Sequence, residues 1–162
     1  MKNKHGFTLV ELLLVMGIMS ILMIILFQVF GSILDLKLRS EATTYVAQDS
    51  RYLITRLTYD ISRASDVTLP VELSSGSSLT LVIDGQNYLY SLDDNILKLS
   101  VGGGDNLALN GIGSKINTLT FTRFANIGTK RIVQISLGIV PTTVQPGGVT
   151  LSRQLTTTVA TR

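Results

Sequence analysis

The feature that most constrains this chain is an uninterrupted apolar segment close to its N-terminus. Between Phe7 and Leu34 the only charged residue is Glu11, and the stretch from Leu12 to Leu34 contains none. As a helix that rises about 1.5 Å per residue, this stretch spans roughly 35 Å, which exceeds the roughly 30 Å hydrocarbon core of a bilayer. A chain of 162 residues is too small to bury such a helix on all sides. The segment is therefore predicted to cross a membrane.

The charges on either side of the segment predict its orientation. Lys2 and Lys4 precede it, whereas the bases that follow it are offset by nearby acids. Positively charged flanks stay on the cytoplasmic side of a membrane. We therefore expect a single-pass protein of the cytoplasmic (inner) membrane, with its N-terminus in the cytoplasm and everything after about Leu34 exported.

The chain that follows predicts more helix. From Asp35 to Ser65 no Pro or Gly interrupts the sequence, and apolar residues recur at spacings of mostly three, four or seven. This periodicity is typical of an amphipathic helix. The simplest interpretation is one helix from Phe7 to Ala64, transmembrane in its first half and amphipathic in its second.

After Val67 the pattern changes to short segments rich in branched, aromatic and Thr residues, which predict strands. These are Val67–Leu73, Ser78–Ile83, Gln86–Leu92, Asn95–Ser100, Thr118–Phe124, Arg131–Val140 and Val149–Ala160. Asp84-Gly85 and Asp93-Asp94-Asn95 are turn signals between neighbouring strands. The expected fold class is α+β, with the long N-terminal helix packed across one face of an antiparallel β-sheet.

Composition removes several classes of site. The chain has no Cys, and its single His is His5, which excludes Cys/His zinc sites, disulfides and any downstream Ser-His-Asp triad. Lys2 and Lys4 supply two of the three net positive charges, so no nucleic-acid partner is expected. No pair of carboxylates suggests acid–base catalysis. We expect neither an enzyme nor a cofactor.

The first residues join a short basic leader to a glycine immediately before the apolar helix. A secretory signal peptide would instead place its cleavage site after the apolar region. The run Lys4-His5-Gly6-Phe7-Thr8-Leu9-Val10-Glu11-Leu12-Leu13 resembles the class III signal of type IV pilins and type II secretion pseudopilins. At motif level the resemblance covers about Met1–Phe30, and the helix-then-sheet order extends it to a pilin-like fold.

The resemblance implies how the chain is processed. A membrane prepilin peptidase would cut between Gly6 and Phe7 and methylate the new amine of Phe7. The product would join other pilin or pseudopilin subunits through an inner-membrane assembly platform, driven by a separate cytoplasmic ATPase. The implied organisation is a leader at 1–6, a transmembrane and filament-core helix at 7–34, and an exported pilin-like domain at 35–162.

Glu11 is the costly residue of the motif. A carboxylate at the centre of a membrane helix costs about 2.5–3.5 kcal/mol, and somewhat less near the interface. A cation would relieve this cost, and the Phe7 amine of a neighbouring, axially staggered subunit is a suitable one. In the families that the motif resembles, this acid neutralises a neighbour's terminus and sets the register. The alternative is that Glu11 merely lies among the lipid headgroups.

Other positions refine the subtype. Gln28 stands where many major pilins carry a helix-breaking proline, which favours a pseudopilin or minor pilin. A K-type pseudopilin usually lacks the acid matched by Glu11. The segments Tyr52–Ser65, Tyr88–Leu92 and Asn95–Lys98 are similar to J-type minor pseudopilins and related minor pilins. A major subunit remains the alternative, although the chain lacks the paired cysteines found near a pilin C-terminus.

Two sets of side chains in the exported region allow more than one interpretation. Tyr45, Tyr52 and Tyr59 recur every seven residues, so they form either a contact stripe for another subunit or a surface packed on the protein's own sheet. Arg51, Arg56 and Arg63 lie roughly on helical spacings and could meet acids on a partner, but a solvated face with internal pairing to Asp60 is the favoured interpretation.

The loop acids Asp93, Asp94 and Asp105 are weak candidates for binding Ca²⁺. No Asp-x-Asp-x-Asp-Gly run accompanies them, and Asp, Asn and Gly commonly form turns. Solvated turns are therefore the favoured interpretation, and no metal site is predicted.

These observations predict a pilin-like structural subunit, either a minor pseudopilin or a minor pilin. It would serve a periplasmic pseudopilus or a cell-surface pilus. The alternative is a membrane-tethered binding module, such as a pilus-tip adhesin or a DNA-uptake minor pilin. A basic groove on the sheet domain would favour the binding module, whereas an exposed Tyr45–Tyr59 stripe would favour an assembly subunit. A tethered hydrolase is disfavoured, because no set of nucleophile and base is present.

The cleavage prediction can be tested at Gly6. A Gly6→Val precursor should remain uncut and membrane-bound, because the peptidase would no longer find glycine before the scissile bond. Mass spectrometry of the N-terminal peptide reads the outcome directly. Normal processing of this variant would contradict the class III signal.

Overall fold

The computed structural model describes residues 8–143 and 151–162 of the chain. One helix, α1, runs from Leu9 to Arg63 and is followed within the described residues by nine strands. The strands are β1 Asp66–Leu69, β2 Ser75–Gly76, β3 Leu79–Ile83, β4 Gln86–Asp93, β5 Ile96–Val101, β6 Leu107–Ala108, β7 Ser114–Arg123, β8 Ile132–Pro141 and β9 Arg153–Ala160. The predicted α+β order is confirmed. Phe7 and the first residues of the predicted strand Val149–Ala160 lie outside the described residues.

The helix contributes to two compact units, Met1–Arg39 and Ser40–Arg162. In the first unit every described side chain is exposed. In the second unit the helix buries one face, consisting of Ala42, Val46, Ser50, Leu53, Leu57, Asp60 and Ile61. The change in burial follows the sequence, since the apolar residues surround the helix in the first unit and form a stripe in the second.

The strands form two antiparallel sheets where the sequence predicted one. The first sheet has the order β1-β3-β4-β5-β6 and the second has the order β2-β7-β8-β9. Two-residue turns keep β3, β4 and β5 adjacent in the first sheet. The two-residue strand β2 lies between β1 and β3 in the sequence but belongs to the second sheet. It pairs with the end of β7, through Ser75–Thr122 and Gly76–Phe121. Alternating burial predicts that a strand has an inner face, but it does not specify which sheet the strand joins.

Both predicted hairpin turns are confirmed. Asp84 and Gly85 have φ angles of 51° and 77°, and Asp94 and Asn95 have φ angles of 50° and 64°. Positive φ at both central residues defines a type I′ turn, whose twist matches that of the flanking strands. Asp, Asn and Gly adopt this conformation at low cost, so the turn residues determine the register of the first sheet.

A single core joins the helix to both sheets. Leu53 and Leu57 of the helix are fully buried together with Leu81 of the first sheet and Phe121 and Ile135 of the second. Full burial of such a side chain contributes about 1.5–3 kcal/mol. The second unit is therefore held together by apolar contacts from all three elements.

Asn95 connects the two sheets at their junction. The backbone N–H of Ile116 donates to the carbonyl of Asn95 at 2.9 Å. The side-chain amide of Asn95 donates to the carbonyl of Ile116 at 2.8 Å. One turn residue thus supplies both the positive φ of its hairpin and two hydrogen bonds to strand β7.

We predict that Asn95→Ala lowers the free energy of unfolding by about 1 kcal/mol more than Asp94→Ala, because only Asn95 also loses a side-chain hydrogen bond. The two variants replace neighbouring positive-φ residues of one turn, which makes Asp94→Ala a matched control. Urea unfolding of the full chain in detergent measures both. Equal losses would show that the Asn95 amide does not stabilise the junction.

Candidate functional site

The helix begins with a well-defined cap. Thr8 precedes the first helical residue, and its Oγ1 accepts a hydrogen bond from the backbone N–H of Glu11 at 3.3 Å. The N–H of Leu12 donates to the carbonyl of Thr8 at 3.1 Å. Thr8-Leu9-Val10-Glu11 is therefore the Thr-x-x-Glu pattern of a capping box. This role of Thr8 was not predicted, although the spacing of Thr8 and Glu11 is a sufficient signal.

The cap places the Glu11 carboxylate in the first turn of the helix. Backbone N–H groups at a helix N-terminus favour negative charge. Around Glu11 the surface is apolar, since Leu9, Val10, Leu12 and Leu13 are all exposed. The site therefore combines one acidic side chain, a positive helix end and an apolar surround.

Beyond Glu11 the helix surface is apolar as far as Leu34. An 18-residue window of this helix reaches a mean hydropathy of 2.8 with none of its residues buried, so the helix is long and apolar enough to span a membrane. Ser20 and Ser32 donate their hydroxyl groups to the carbonyls four residues earlier, at 2.8 and 3.0 Å. These bonds satisfy both hydroxyl donors within the helix, as a lipid environment requires.

The predicted cleavage site is not part of this geometry. Gly6 and Phe7 lie outside the described residues, and their roles stay predictions.

In the second unit a buried polar network connects the helix to the first sheet. The Asp60 side chain is only 1% exposed. It accepts hydrogen bonds from the hydroxyl of Tyr90 and, at 2.8 Å, from Nε of Arg56. The predicted pairing of Arg56 with Asp60 is thus confirmed. The role of Tyr90 was not predicted, because the alternation in Tyr88-Leu89-Tyr90 leaves open whether the two tyrosines or Leu89 face the core.

The network shifts the titration of two of its members. Burial, followed by the hydrogen bond to Asp60, raises the pKa of the Tyr90 hydroxyl well above its usual range. Hydrogen bonding to Tyr90 and Asp60 raises the pKa of Arg56, against the opposing effect of desolvation. The hydroxyl and the guanidinium therefore both keep their protons and remain donors to the carboxylate.

A second contact joins the helix to a glycine-containing loop. The carboxylate of Asp49 accepts hydrogen bonds from the N–H of Gly111 at 3.0 Å and from the hydroxyl of Ser114 at 2.5 Å. A Cβ atom added to Gly113 would lie 2.7 Å from the ring of Tyr45, so glycine is required where the loop meets this side chain. The loop is thereby fixed against the helix.

The tyrosine stripe remains largely accessible. Tyr45, Tyr52 and Tyr59 are 51%, 48% and 55% exposed. The protein's own sheets therefore do not bury the stripe, which leaves these rings available to a partner.

The calcium candidates do not converge. Asp93 pairs with Lys98, with 2.5 Å between Oδ2 and Nζ, and Asp94 forms the adjacent turn. Within residues 8–143 and 151–162, no group of three or more His, Cys, Asp or Glu side chains, with or without Asp105, is placed to hold a metal ion.

Residues 1–27 match a family described as the prokaryotic N-terminal methylation motif. The match supports a pilin-like precursor that prepilin peptidase processes and that is anchored in the inner membrane. It also favours a structural subunit. Comparisons with curated proteins and with solved structures gave no significant match.

The buried tyrosine predicts an alkaline loss of stability. Unfolded Tyr90 ionises above about pH 10, whereas the raised pKa keeps the folded residue protonated. The unfolded state then binds fewer protons, so stability should fall above about pH 10 by up to about 1.4 kcal/mol per pH unit. Thermal unfolding of the full chain in detergent, followed by far-UV circular dichroism, measures this slope.

Tyr90→Phe should remove that slope, whereas Tyr52→Phe, which alters an exposed ring, should keep it. Tyr90→Phe should also cost about 1–3 kcal/mol at neutral pH, because the buried Asp60 loses a donor. An unchanged alkaline slope in Tyr90→Phe would contradict the network.

Proposed function

We propose that this chain is a minor pseudopilin or minor pilin, cleaved between Gly6 and Phe7, N-methylated on Phe7, and assembled into a type II secretion pseudopilus or a type IV pilus. The observation that carries the proposal is an exposed apolar helix surface, from Leu9 to Leu34, whose one charged side chain is Glu11 in the first turn. The methylation motif at residues 1–27, which includes Glu11, supports the pilin-like precursor on which the proposal builds.

The apolar helix surface requires a cover at every stage. Before assembly, lipid would cover it, with the N-terminus in the cytoplasm and the C-terminal region exported. In a filament, the helices of other subunits would replace the lipid. Lipid tails are as apolar as leucine side chains, so this exchange gives little hydrophobic driving force between helices. Packing and a specific polar contact must therefore select the arrangement.

Glu11 provides that polar contact. It follows Phe7 by four residues, a spacing that would be about 6 Å along the axis if the helix of the processed chain included Phe7. A neighbouring subunit displaced by about one helical turn would bring its terminal amine level with this carboxylate. Such an ion pair neutralises two charges in a medium where each alone is costly. It would also set the axial register, because only one displacement aligns the two groups.

The continuity of the helix supports a minor subunit. Helix α1 runs without a break through Gln28, whose carbonyl accepts the hydroxyl of Ser32 at 3.0 Å. The proline found at this position in many major pilins would interrupt that region. Within the minor subunits we place the chain nearest to the J type, on the resemblance of its first helix end and its Tyr88–Lys98 hairpin.

The second candidate, a tethered module that binds DNA or a surface, has less support. Residues paired across neighbouring strands point to the same face of a sheet. On one face of the second sheet, three rows of paired residues across β7, β8 and β9 are uncharged. The rows are Thr122, Gln134 and Thr158; Thr120, Ser136 and Thr156; and Thr118, Gly138 and Gln154. A basic groove would favour DNA uptake, but this face carries hydroxyl and amide groups. The exposed tyrosine stripe favours assembly instead.

Substitution of Glu11 separates its two roles. Glutamine preserves the capping-box pattern but removes the charge, so Glu11→Gln tests the ion pair alone, and Glu11→Leu removes both. Both variants should insert in the membrane and be cleaved like the wild type. Their incorporation into filaments should fall at least about tenfold, which corresponds to the loss of about 1.4 kcal/mol.

The measurement compares the variant chain in the sheared filament fraction with that in the membrane fraction by quantitative immunoblotting. Glu41→Gln removes an acid from the same helix outside the apolar segment and serves as the control, with incorporation near the wild-type level. If Glu11→Gln is incorporated as well as the wild type, the carboxylate does not direct assembly.

A further inference from the structure

Six residues of helix α1 form a continuous row that the described fold leaves exposed or partly exposed. Their spacing alternates between four and three: Tyr45, Asp49, Tyr52, Arg56, Tyr59 and Arg63. We call this row the tyrosine–arginine seam. An average spacing of 3.5 residues is the period at which two helices pack along a left-handed coiled coil. From Tyr45 to Arg63 the seam extends for about 27 Å, which is long enough for a helix–helix contact.

The seam lies on a different side of the helix from the core. The buried stripe is centred on Val46, Leu53 and Leu57, about a quarter of a turn away at 3.6 residues per turn. The tyrosines are about half exposed, as described above. The second unit thus buries one face of the helix in its own core and presents another.

The charged members of the seam are held in place by their own fold. Asp49 accepts the hydrogen bonds of the Gly111–Ser114 loop, and Arg56 donates to Asp60. Arg63 lies 5.3 Å above the ring of Tyr59 and donates to its hydroxyl at 3.2 Å. Side chains ordered in advance lose less entropy on binding. Tyr and Arg are also the residue types that most often dominate binding energy at interfaces.

We propose that the tyrosine–arginine seam docks the amphipathic helix of a different pilin-like subunit, one that carries acidic side chains opposite Arg56 and Arg63. This inference rests on the proposed function, which places both helices in one membrane and makes them parallel. A guanidinium has five N–H donors. Asp60 and Tyr90 interact with Arg56, and Tyr59 and Asp84 interact with Arg63, so neither guanidinium has all of its donors occupied. Carboxylates on the partner would satisfy further donors.

Charge argues against a second copy of this chain as the partner. A parallel copy in register would place Arg56 and Arg63 against their own counterparts, and like charges in contact are destabilising. A shift by one heptad still places Arg56 against Arg63. It would also bring Asp49 against Arg56, but the Asp49 carboxylate is already bound by the loop.

The same geometry argues against DNA as the ligand. Asp60 lies 2.8 Å from Arg56, Asp84 lies 3.6 Å from Arg63, and Asp49 interrupts the seam. A continuous phosphate backbone along the seam would run close to these negative charges and be repelled by them. A helix can instead place individual carboxylates at two chosen positions.

The test uses the absence of cysteine from the chain. A full-length Gln48→Cys variant, made in its native host, carries a photoactivatable crosslinker at an exposed position beside the seam. Crosslinking in intact membranes, followed by mass spectrometry, should join this position to the helix of another pilin-like subunit, next to an Asp or Glu. The yield should fall at least about tenfold with Arg63→Glu or Tyr52→Ala, which corresponds to about 1.4 kcal/mol.

Arg51→Glu is the matched control, because it makes the same charge change on the same helix but away from the seam, and its yield should equal that of the parent. Replacing the crosslinked acid of the partner by Arg should restore the yield with Arg63→Glu. Circular dichroism and membrane levels of each variant verify that it folds.

Several results would overturn the proposal. These are a crosslink to a second copy, a yield equally sensitive to Arg51→Glu and Arg63→Glu, or no crosslink to a pilin-like helix. Binding of a fluorescent single-stranded oligonucleotide, if Tyr52→Ala abolishes it, would also overturn the proposal and would identify nucleic acid as the ligand of the seam. The crosslink is read in the membrane and does not require filaments. Equal incorporation of wild type and Glu11→Gln would therefore refute the assembly role of Glu11 without deciding the seam.

Discussion

The apolar N-terminal half of helix α1 is the constraint on which the rest depends. Its apolar side chains from Leu9 to Leu34 are largely exposed. Contact between so much apolar surface and water is strongly unfavourable, so lipid or other helices must cover these side chains. The hydroxyls of Ser20 and Ser32 bond back to the helix, and Glu11 is the one charged residue of the apolar segment. Lipid tails around the helix offer no counterion to the Glu11 carboxylate, whereas a neighbouring subunit can provide one.

The second unit solves a different problem, which is to hold one helix face in a fixed orientation. Apolar residues such as Leu57 attach the helix to both sheets, but apolar contacts alone permit small rotations. The hydrogen bond from Tyr90 of the first sheet to Asp60 opposes such rotations, because a buried carboxylate that loses a donor is strongly destabilising. Asp49 fixes a second point through the Gly111–Ser114 loop. The two contacts together determine which residues the helix presents to a partner.

Much of the fold followed from the sequence because its signals were local. The helix followed from its periodicity, and the hairpins followed from Asp84-Gly85 and Asp94-Asn95, since these residues tolerate positive φ. The pairing of Arg56 with Asp60 followed from their spacing on one helix. The division into two sheets could not be predicted, because it depends on β2 pairing with a strand more than forty residues later. The same holds for Asn95 and Tyr90, whose partners are distant in the sequence.

The N-terminal site could also be predicted only in part from the sequence. The motif was recognised from Gly6, Phe7 and Glu11. The cap by Thr8 could have been predicted from the spacing of Thr8 and Glu11 alone. The counterion proposed for Glu11 cannot be identified from this sequence, because it would belong to another molecule. The match over residues 1–27 supports the pilin-like precursor, and the subtype rests on looser patterns further along the chain.

Solid-state NMR on assembled filaments would test the central idea most directly. This chain would carry ¹³C in the side-chain carboxyl of its glutamates, and the neighbouring subunits would carry ¹⁵N in their methylated terminal amines. The account predicts magnetisation transfer between the Glu11 carboxyl carbon and a neighbour's amine, as expected for an ion pair with about 2.8 Å between nitrogen and oxygen. Well-ordered filaments without any such transfer between subunits would contradict it.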